Sequence, residues 1–295
     1  MNLTILTPTF NRGYILSRLY KSLVNQSNIN FEWLIVDDGS TDNTNEIVDG
    51  FIYENKISIR YFKTQNGGKH RALNYGIGKI ESPLTFIVDS DDYLKENAVD
   101  VILHYYSEYM HDSSICGFSF LRCFPNGDIN GKMYESSPYI SDYISCRLNE
   151  NICGDKAEVY LTKCLKEFPF LEVEGEKFLF EDYVWIQLAE KYKTVHLNIA
   201  IYVGDYLIDG LTNKIDKLKV NNPIGMMYRA KVFYSKKCNL KNKAKAMMQY
   251  IAFGKLAKLT TADLLYQSNN KLFFLSVFIP ALLYYTKLQR LKVEL

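Results

Sequence analysis

Short apolar runs alternate with helical periodicity over the first 120 residues. The apolar runs fall at residues 3–6, 33–36, 57–62, 84–88 and 115–120. Each is the length of one strand and is bounded by polar or turn-forming residues. Between them, residues 14–25, 43–53, 70–79 and 97–110 carry apolar positions at the spacing of an amphipathic helix. This β-α-β-α order predicts an α/β class, with a mostly parallel, Rossmann-like sheet flanked by helices. Polar clusters follow the first, second and fourth runs, at residues 8–12, 37–42 and 89–92. In a sheet of this kind the carboxyl ends of the strands share one edge, and ligands gather there. The pattern therefore predicts three polar or acidic loops converging on one site.

Residues 121–180 show no clear period and contain turns at Pro125-Asn126-Gly127 and Ser136-Ser137-Pro138. A helix is predicted over 183–191, then strands over 194–197 and 199–206. From about residue 222 the pattern is helical to the end. There is no internal repeat and no low-complexity linker.

Composition adds one feature. Net charge is +2, but residues 1–213 hold 19 Lys+Arg against 30 Asp+Glu, while residues 214–295 hold 16 against 3. An acidic body, 1–213, is thus expected to carry a basic helical extension, 214–295, and such an extension suits an anionic surface. It has no recognisable nucleic-acid motif and ends in an apolar stretch, so nucleic acid is not an expected partner. That stretch, LFFLSVFIPALLYY at 272–285, is 14 residues with a Pro, too short to span a bilayer. Flanked by Lys271, Lys287, Arg290 and Lys292, it reads as an interfacial helix with cationic anchors, or as the core-facing segment of a helical appendage. The chain starts almost directly on an apolar strand, so no secretory leader is expected. Six cysteines without a C-x-x-C pair predict reduced thiols and a cytoplasmic protein.

Candidate chemistry sits at the strand ends. In Asp89-Ser90-Asp91-Asp92, three carboxylates repel one another. A divalent cation relieves that repulsion and can bridge to a diphosphate; helix capping is the other reading of the same residues. In Asp37-Asp38-Gly39-Ser40-Thr41-Asp42, turn and cap chemistry accounts for Gly39 onward but not for the paired acids. Asp38 is the candidate for a nucleobase edge. Residues 66–74, NGGKHRALN, fail as a P-loop because Lys63 stands where a Gly is needed and His70 where Ser or Thr is needed. They remain a glycine turn into a basic helix start, from which Lys69 or Arg71 can face phosphate or solvent. Glu181-Asp182 precedes a helix and offers either a cap or a general base.

Five segments stand in one order: TPTFNR at 7–12, IVDDGSTDNT at 35–44, GGKHRALN at 67–74, VDSDD at 88–92, and Glu181-Asp182. Together they resemble the family 2 glycosyltransferases of the GT-A fold, over about residues 1–213. The resemblance implies an inverting transfer from a nucleotide-sugar donor, commonly a UDP-sugar, with Mn2+ or Mg2+ as cofactor. It implies Pro8 and Asp38 lining the base pocket, Asp89 at the ribose, Asp91 on the metal and Asp182 as catalytic base. It also implies that residues 209–212 close over the diphosphate, with Thr212 in contact. There the family often carries a basic residue or His and a Ser, whereas this chain has Asp209, Leu211 and Thr212.

The roles suit a single displacement. The attacking hydroxyl must lose a proton, so a carboxylate is needed on the acceptor side. The leaving diphosphate gains charge, so a cation is needed opposite. The acceptor the resemblance implies is a glycan or lipid-linked saccharide of capsule, exopolysaccharide or lipopolysaccharide, met at the inner face of the plasma membrane. Two other functions compete. A sugar-phosphate nucleotidyltransferase would open with a Gly-rich loop, and residues 8–12 lack glycine. A silent glycan-binding scaffold predicts lost carboxylates, and Asp89, Asp91 and Asp182 are present.

Overall fold

A computed structural model describes residues 1–204 and 214–294. The first 123 residues alternate as predicted: β1 (Leu3–Thr9), α1 (Gly13–Val24), β2 (Phe31–Asp37), α2 (Thr44–Glu54), β3 (Ile59–Lys63), α3 (Lys69–Lys79), β4 (Leu84–Ile87), a short β5 (Tyr93–Leu94), α4 (Ala98–Tyr109) and β6 (Ile115–Cys123). Then come β7 (Tyr139–Ser141), a π-helical turn at Ile144–Asn149, β8 (Lys156–Leu161), α5 (Thr162–Glu167), α6 (Asp182–Lys191) and β9 (Lys193–Val203). Six helices follow among the described residues: α7 (Ile215–Asn221), α8 (Pro223–Phe233), α9 (Leu240–Leu256), α10 (Thr261–Gln267), α11 (Lys271–Ser276) and α12 (Phe278–Glu294).

Among the described residues the sheet has nine strands, in the order β3-β2-β1-β4-β8-β6-β9-β5, with β7 also on β9. β3, β2, β1 and β4 run parallel, and β6 runs parallel to β9. β8 lies antiparallel between β4 and β6. It was not visible in the sequence because Lys156 and Glu158 break its apolar run. Lys156 is buried, with Nζ donating to Lys132 O at 2.8 Å, so the lysine satisfies a loop carbonyl inside the fold. The two strands expected over 194–206 are one. Asn198, which looks like a break, sits where the pairing with β6 slips between Ser119 and Leu121, and its amide bonds the backbone of Tyr134 at 2.8 and 2.9 Å.

Both faces of the sheet are covered, which is why its strands read as nearly continuous apolar runs. Leu3, Ile5, Trp33 and Ile35 point to one face and meet α1, α2 and α4. Leu6, Leu34 and Val36 point to the other, the period-two alternation of a strand. That second face shares one apolar cluster with Trp185 of α6, Met226 and Met227 of α8, Ile251 and Phe253 of α9, Phe274 of α11, and Ala281 and Leu288 of α12. The basic extension therefore closes the core of the body. Segment 272–285 is two helices meeting at Val277, with Pro280 tolerated in the first turn of α12. Phe274, Val277 and Ala281 face the core, whereas Leu272, Leu275, Ile279 and Leu283 face outward. Among the described residues no helix is long and apolar enough to cross a membrane.

A chain ending at residue 213 would expose that shared apolar face. Differential scanning calorimetry should show aggregation, or a melting point lower by more than about 10 °C, since each kcal/mol moves Tm by roughly 2–4 °C at this size. A fragment 1–213 that melts like the full chain would make the extension an independent unit.

Candidate active site

A cavity of about 590 Å³ opens where the three polar loops converge. Its walls include Pro8 near the end of β1 and Asn11 after it, Asp38 after β2, Asp89 and Asp91 after β4, Arg122 at the end of β6 and Gly204 after β9. The register explains the convergence, because Thr9 pairs with Asp37 and so the first two loops start level. They are then tied together: Asn11 N–H donates to Ser40 Oγ at 2.8 Å, and Asn11 Oδ1 accepts from Thr41 N–H at 2.8 Å. Asn11 adopts φ +52°, a conformation that asparagine tolerates.

The paired acids divide their work. Asp37 is fully buried and structural: its carboxylate accepts from Ser40 N–H at 2.7 Å and from the Tyr61 hydroxyl at 2.6 Å. Asp38 lines the cavity. Its Oδ1 accepts from Gly67 N–H at 2.7 Å, and its Oδ2 from Gly68 N–H at 2.8 Å and Asn66 Nδ2 at 3.1 Å. Burial raises the Asp38 carboxyl and the two glycine N–H groups work against that rise. A carboxylate offers about four lone-pair sites, so the three donors leave acceptor capacity on Asp38. The glycine turn is thus shaped by Asp38, which already takes the N–H groups of Gly67 and Gly68. Gly68 has φ +99°, and a Cβ there would lie 1.9 Å from Lys177 O.

Lys69, at the start of α3, points into the cavity. Its Nζ lies 2.5 Å from Asp89 Oδ1 and 2.8 Å from Glu181 Oε1, so it bridges two carboxylates. Burial works to raise the Asp89 carboxyl; Lys69 and then Arg122 overcome it and hold Asp89 below the usual carboxylate range. Arg71 is not brought to the cavity. One turn of helix does not bring residues two positions apart to one face, and its Nη2 donates instead to Val173 O at 2.7 Å, with Glu172 at 3.9 Å.

The acids after β4 also separate. Asp92 is buried, bonded to Arg122 and to the Tyr202 hydroxyl at 2.7 Å, and burial pushes its carboxyl up to about 7. Arg122 stacks 3.9 Å over the Tyr202 ring. The same hydroxyl accepts from Asp89 N–H at 3.0 Å, so Tyr202 sets the turn. Asp91 lines the cavity, and burial together with the charge of Asp89 raises its carboxyl. Among the described residues no three His, Cys, Asp or Glu side chains form a ready metal cage. One or two carboxylates completed by phosphate oxygens and water is, however, the donor set Mg2+ and Mn2+ use. Asp91 beside Asp89 fits it.

Asp182, the first residue of α6, is not among the residues lining this cavity. Arg229 of α8 holds it in a two-pronged pair, Nε to Oδ1 at 2.6 Å and Nη2 to Oδ2. The guanidinium lies 4.6 Å from the Phe180 ring centre and 4.2 Å from that of Phe233. Neither Arg229 nor Arg122 was foreseen. The available signal was a single arginine in an otherwise uncharged segment, 220–230 for one and 115–123 for the other; such a residue implies a buried carboxylate partner. The expected loop 209–212, with Asp209, Leu211 and Thr212, lies outside the described residues.

With this geometry in place, similarity to known proteins assigns the chain. Residues 4–165 match the family model described as Glycosyl transferase family 2. Glycosyltransferase GlyG of Streptococcus pneumoniae is 35% identical over 101 residues, 34% of this chain and 33% of that protein. GlyA of the same organism is 26% identical over 208 residues, 68% of this chain and 28% of that one. The matches thus span about a third or less of those two proteins. The crystal structure of Staphylococcus aureus TarS residues 1–349 in complex with UDP-GlcNAc superposes with a TM-score of 0.62 at 18% identity, covering 90% of this chain and 85% of the other. A Pyrobaculum calidifontis mannosyltransferase with GDP-Man and Mn2+ gives 0.57 at 14% identity, covering 99% and 83%. The fold is the GT-A fold, and the chain belongs to glycosyl transferase family 2.

Proposed function

We propose that this chain transfers a sugar, with inversion, from a UDP-sugar to a hydroxyl of a surface-glycan acceptor. The observation that carries the reading is the single cavity whose wall runs from Pro8 and Asp38 to Asp89 and Asp91. One end offers an apolar ring and a carboxylate for a nucleobase; the other offers the acids suited to a ribose and a cation. The relatives whose structures hold UDP-GlcNAc or GDP-Man with Mn2+ support a nucleotide-sugar and a divalent metal here.

In this reading Pro8 packs on the base and Asp38 accepts from its edge. Asp89 accepts from a ribose hydroxyl, with Lys69 keeping it ionised. Asp91 would hold a divalent cation, which when bound would supply positive charge for a departing diphosphate. Asp182 takes the proton of the attacking hydroxyl. Arg229 uses one acceptor site on each Asp182 oxygen, so the outer lone pairs stay available. The nucleotidyltransferase and silent-scaffold readings lose ground to the family membership and to the retained acids.

The outward stripe Leu272, Leu275, Ile279 and Leu283 is 59–82% exposed, and exposed cations Lys271, Lys287 and Arg290 flank it. This pairing of apolar and cationic surface supports peripheral binding to an anionic bilayer, on the cytoplasmic side, with a lipid-linked saccharide as acceptor. Six free thiols suit that compartment.

Thermal shift with UDP, dTDP and GDP, with and without Mn2+, should show stabilisation by UDP that requires metal. Asp91→Asn should abolish the metal-dependent part; an undiminished response removes Asp91 from the metal. Asp182→Asn should keep nucleotide binding and lower transfer by about 10²–10⁴-fold. Full activity in that variant would shift the base to Glu181.

Flotation with phosphatidylglycerol vesicles should carry the full chain upward and leave Leu272→Ser/Ile279→Ser/Leu283→Ser behind. Removing whole helices would be a poor test, because Phe274, Ala281 and Leu288 belong to the core. A wild-type chain that stays at the bottom rejects the membrane surface.

A further inference from the structure

The wall of the large cavity follows the order of the strands: Asp38 after β2, Pro8 on β1, Asp89 and Asp91 after β4, then Asp155 at the start of β8 and Arg122 at the end of β6. β8 is antiparallel to both neighbours, so its first residues share the edge at which β4 and β6 end. Leu121 pairs with Lys156, and the next residues outward, Arg122 and Asp155, stand level. β6 lies two strands beyond β4, roughly 10 Å along that edge. Phe124 and Asn130, which follow β6, complete this far end. The base, ribose and cation of the proposed donor fall short of it.

The far wall is costly to build. Gly131 and Gly154 have φ +85° and +90°, and they cross so closely that a Cβ on either would collide with the backbone of the other. Two cations hold the crossing. Buried Lys156 donates to Lys132 O at 2.8 Å and Cys153 O at 3.4 Å, and Arg147 donates to Ile152 O at 2.7 Å and to Gly154 O. A fold keeps local strain of this kind where side chains must be placed. The side chains placed here are Asn130 and Asp155, each next to one of the glycines, and Asn130 Oδ1 accepts from Asp155 N–H at 3.4 Å.

We propose that this far end takes the sugar being transferred, that Asp155 and Asn130 read its hydroxyls, and that the sugar is neutral. The proposal rests on the donor reading of the cavity. In a nucleotide-sugar the sugar follows the diphosphate, so the run from Asp38 to Asp91 points it along the wall towards β8 and β6. The chemistry there suits a sugar ring. A carboxylate accepts from neighbouring hydroxyls, an amide both donates and accepts, and the Phe124 ring offers an apolar surface to a C–H face. Charge then selects among sugars. Arg122 is bonded to Asp92 and also faces the charges of Asp89 and Asp155. A uronate would bring its carboxylate against Asp155 with Arg122 already answered, and like charges set against each other across a site cost affinity.

Titration calorimetry on the full chain with Mn2+ tests this, using UDP, UDP-glucose, UDP-galactose, UDP-N-acetylglucosamine, UDP-N-acetylgalactosamine and UDP-glucuronate. At least one neutral donor should bind more tightly than UDP-glucuronate by about tenfold or more. Asp155→Asn should narrow that gap severalfold and leave UDP affinity unchanged. Asn130→Ala should weaken the best neutral donor severalfold, again without touching UDP, and it keeps the comparison open if Asp155→Asn fails to fold. UDP-glucuronate binding as tightly as the best neutral donor, a gap that survives Asp155→Asn, or a loss of UDP affinity equal to that of the sugar donors would each overturn the assignment. A chain that binds UDP and all its sugars alike loses this assignment alone. One that binds neither UDP nor its sugars loses the donor reading as well.

Discussion

Carboxylates gathered at one sheet edge and withdrawn from water must each find a partner, and the architecture of the site follows from how they do. Asp38 is met by the backbone N–H groups of Gly67 and Gly68, Asp89 by Lys69, Asp92 by Arg122 and Tyr202, and Asp182 by Arg229. Every one of these pairs joins two different elements. Losing one partner of a buried pair costs about 3–5 kcal/mol, because the other charge is left uncompensated. The contacts that give the acids their partners therefore also tie together the elements around the cavity.

The same constraint explains why the extension is not an appendage. Glu176 accepts from Ile224 N–H and Gly225 N–H, both at 2.7 Å, and so answers the positive end of α8. Asn222 Oδ1 accepts from Lys177 N–H and Phe178 N–H, at 2.8 and 3.1 Å. Lys177 O is the atom against which Gly68 is pressed. A continuous path thus runs from Asp38 through the glycine turn and residues 176–178 to α8, which carries Arg229. The cavity wall at Asp38 and the Arg229–Asp182 pair are thus joined by one continuous run of contacts.

Periodicity made the first 123 residues legible because those strands are buried on both faces and those helices on one. The loops after β1, β2 and β4 were legible because polar residues clustered there had no other role. What stayed hidden was pairing. Sequence could not divide Asp37 from Asp38, since only the register shows that the first reaches Tyr61 and the second the cavity. It could not choose between Lys69 and Arg71, since helix phase decides which enters the cavity. It missed β8, because a buried lysine mimics a solvated one until its carbonyl partner is known. Glu181 read, together with Asp182, as a cap or a base, yet in the fold it shares Lys69 with Asp89.

Arg229 shows what such hidden pairing achieves. A lysine there would offer one point charge on a flexible stem and leave the Asp182 carboxylate free to rotate about it. The guanidinium is planar, and its fork fixes the plane of the carboxylate it grips. Its own position is held in turn by contact with the rings of Phe180 and Phe233. The orientation of the candidate base is therefore set two contacts away, by aromatic residues on the body and on the extension together. A proton acceptor has to meet its hydroxyl within hydrogen-bond reach and in line. Holding a carboxylate by a stacked arginine provides that alignment without taking all of its lone pairs, which is why a two-pronged ion pair and a role as base are compatible at Asp182.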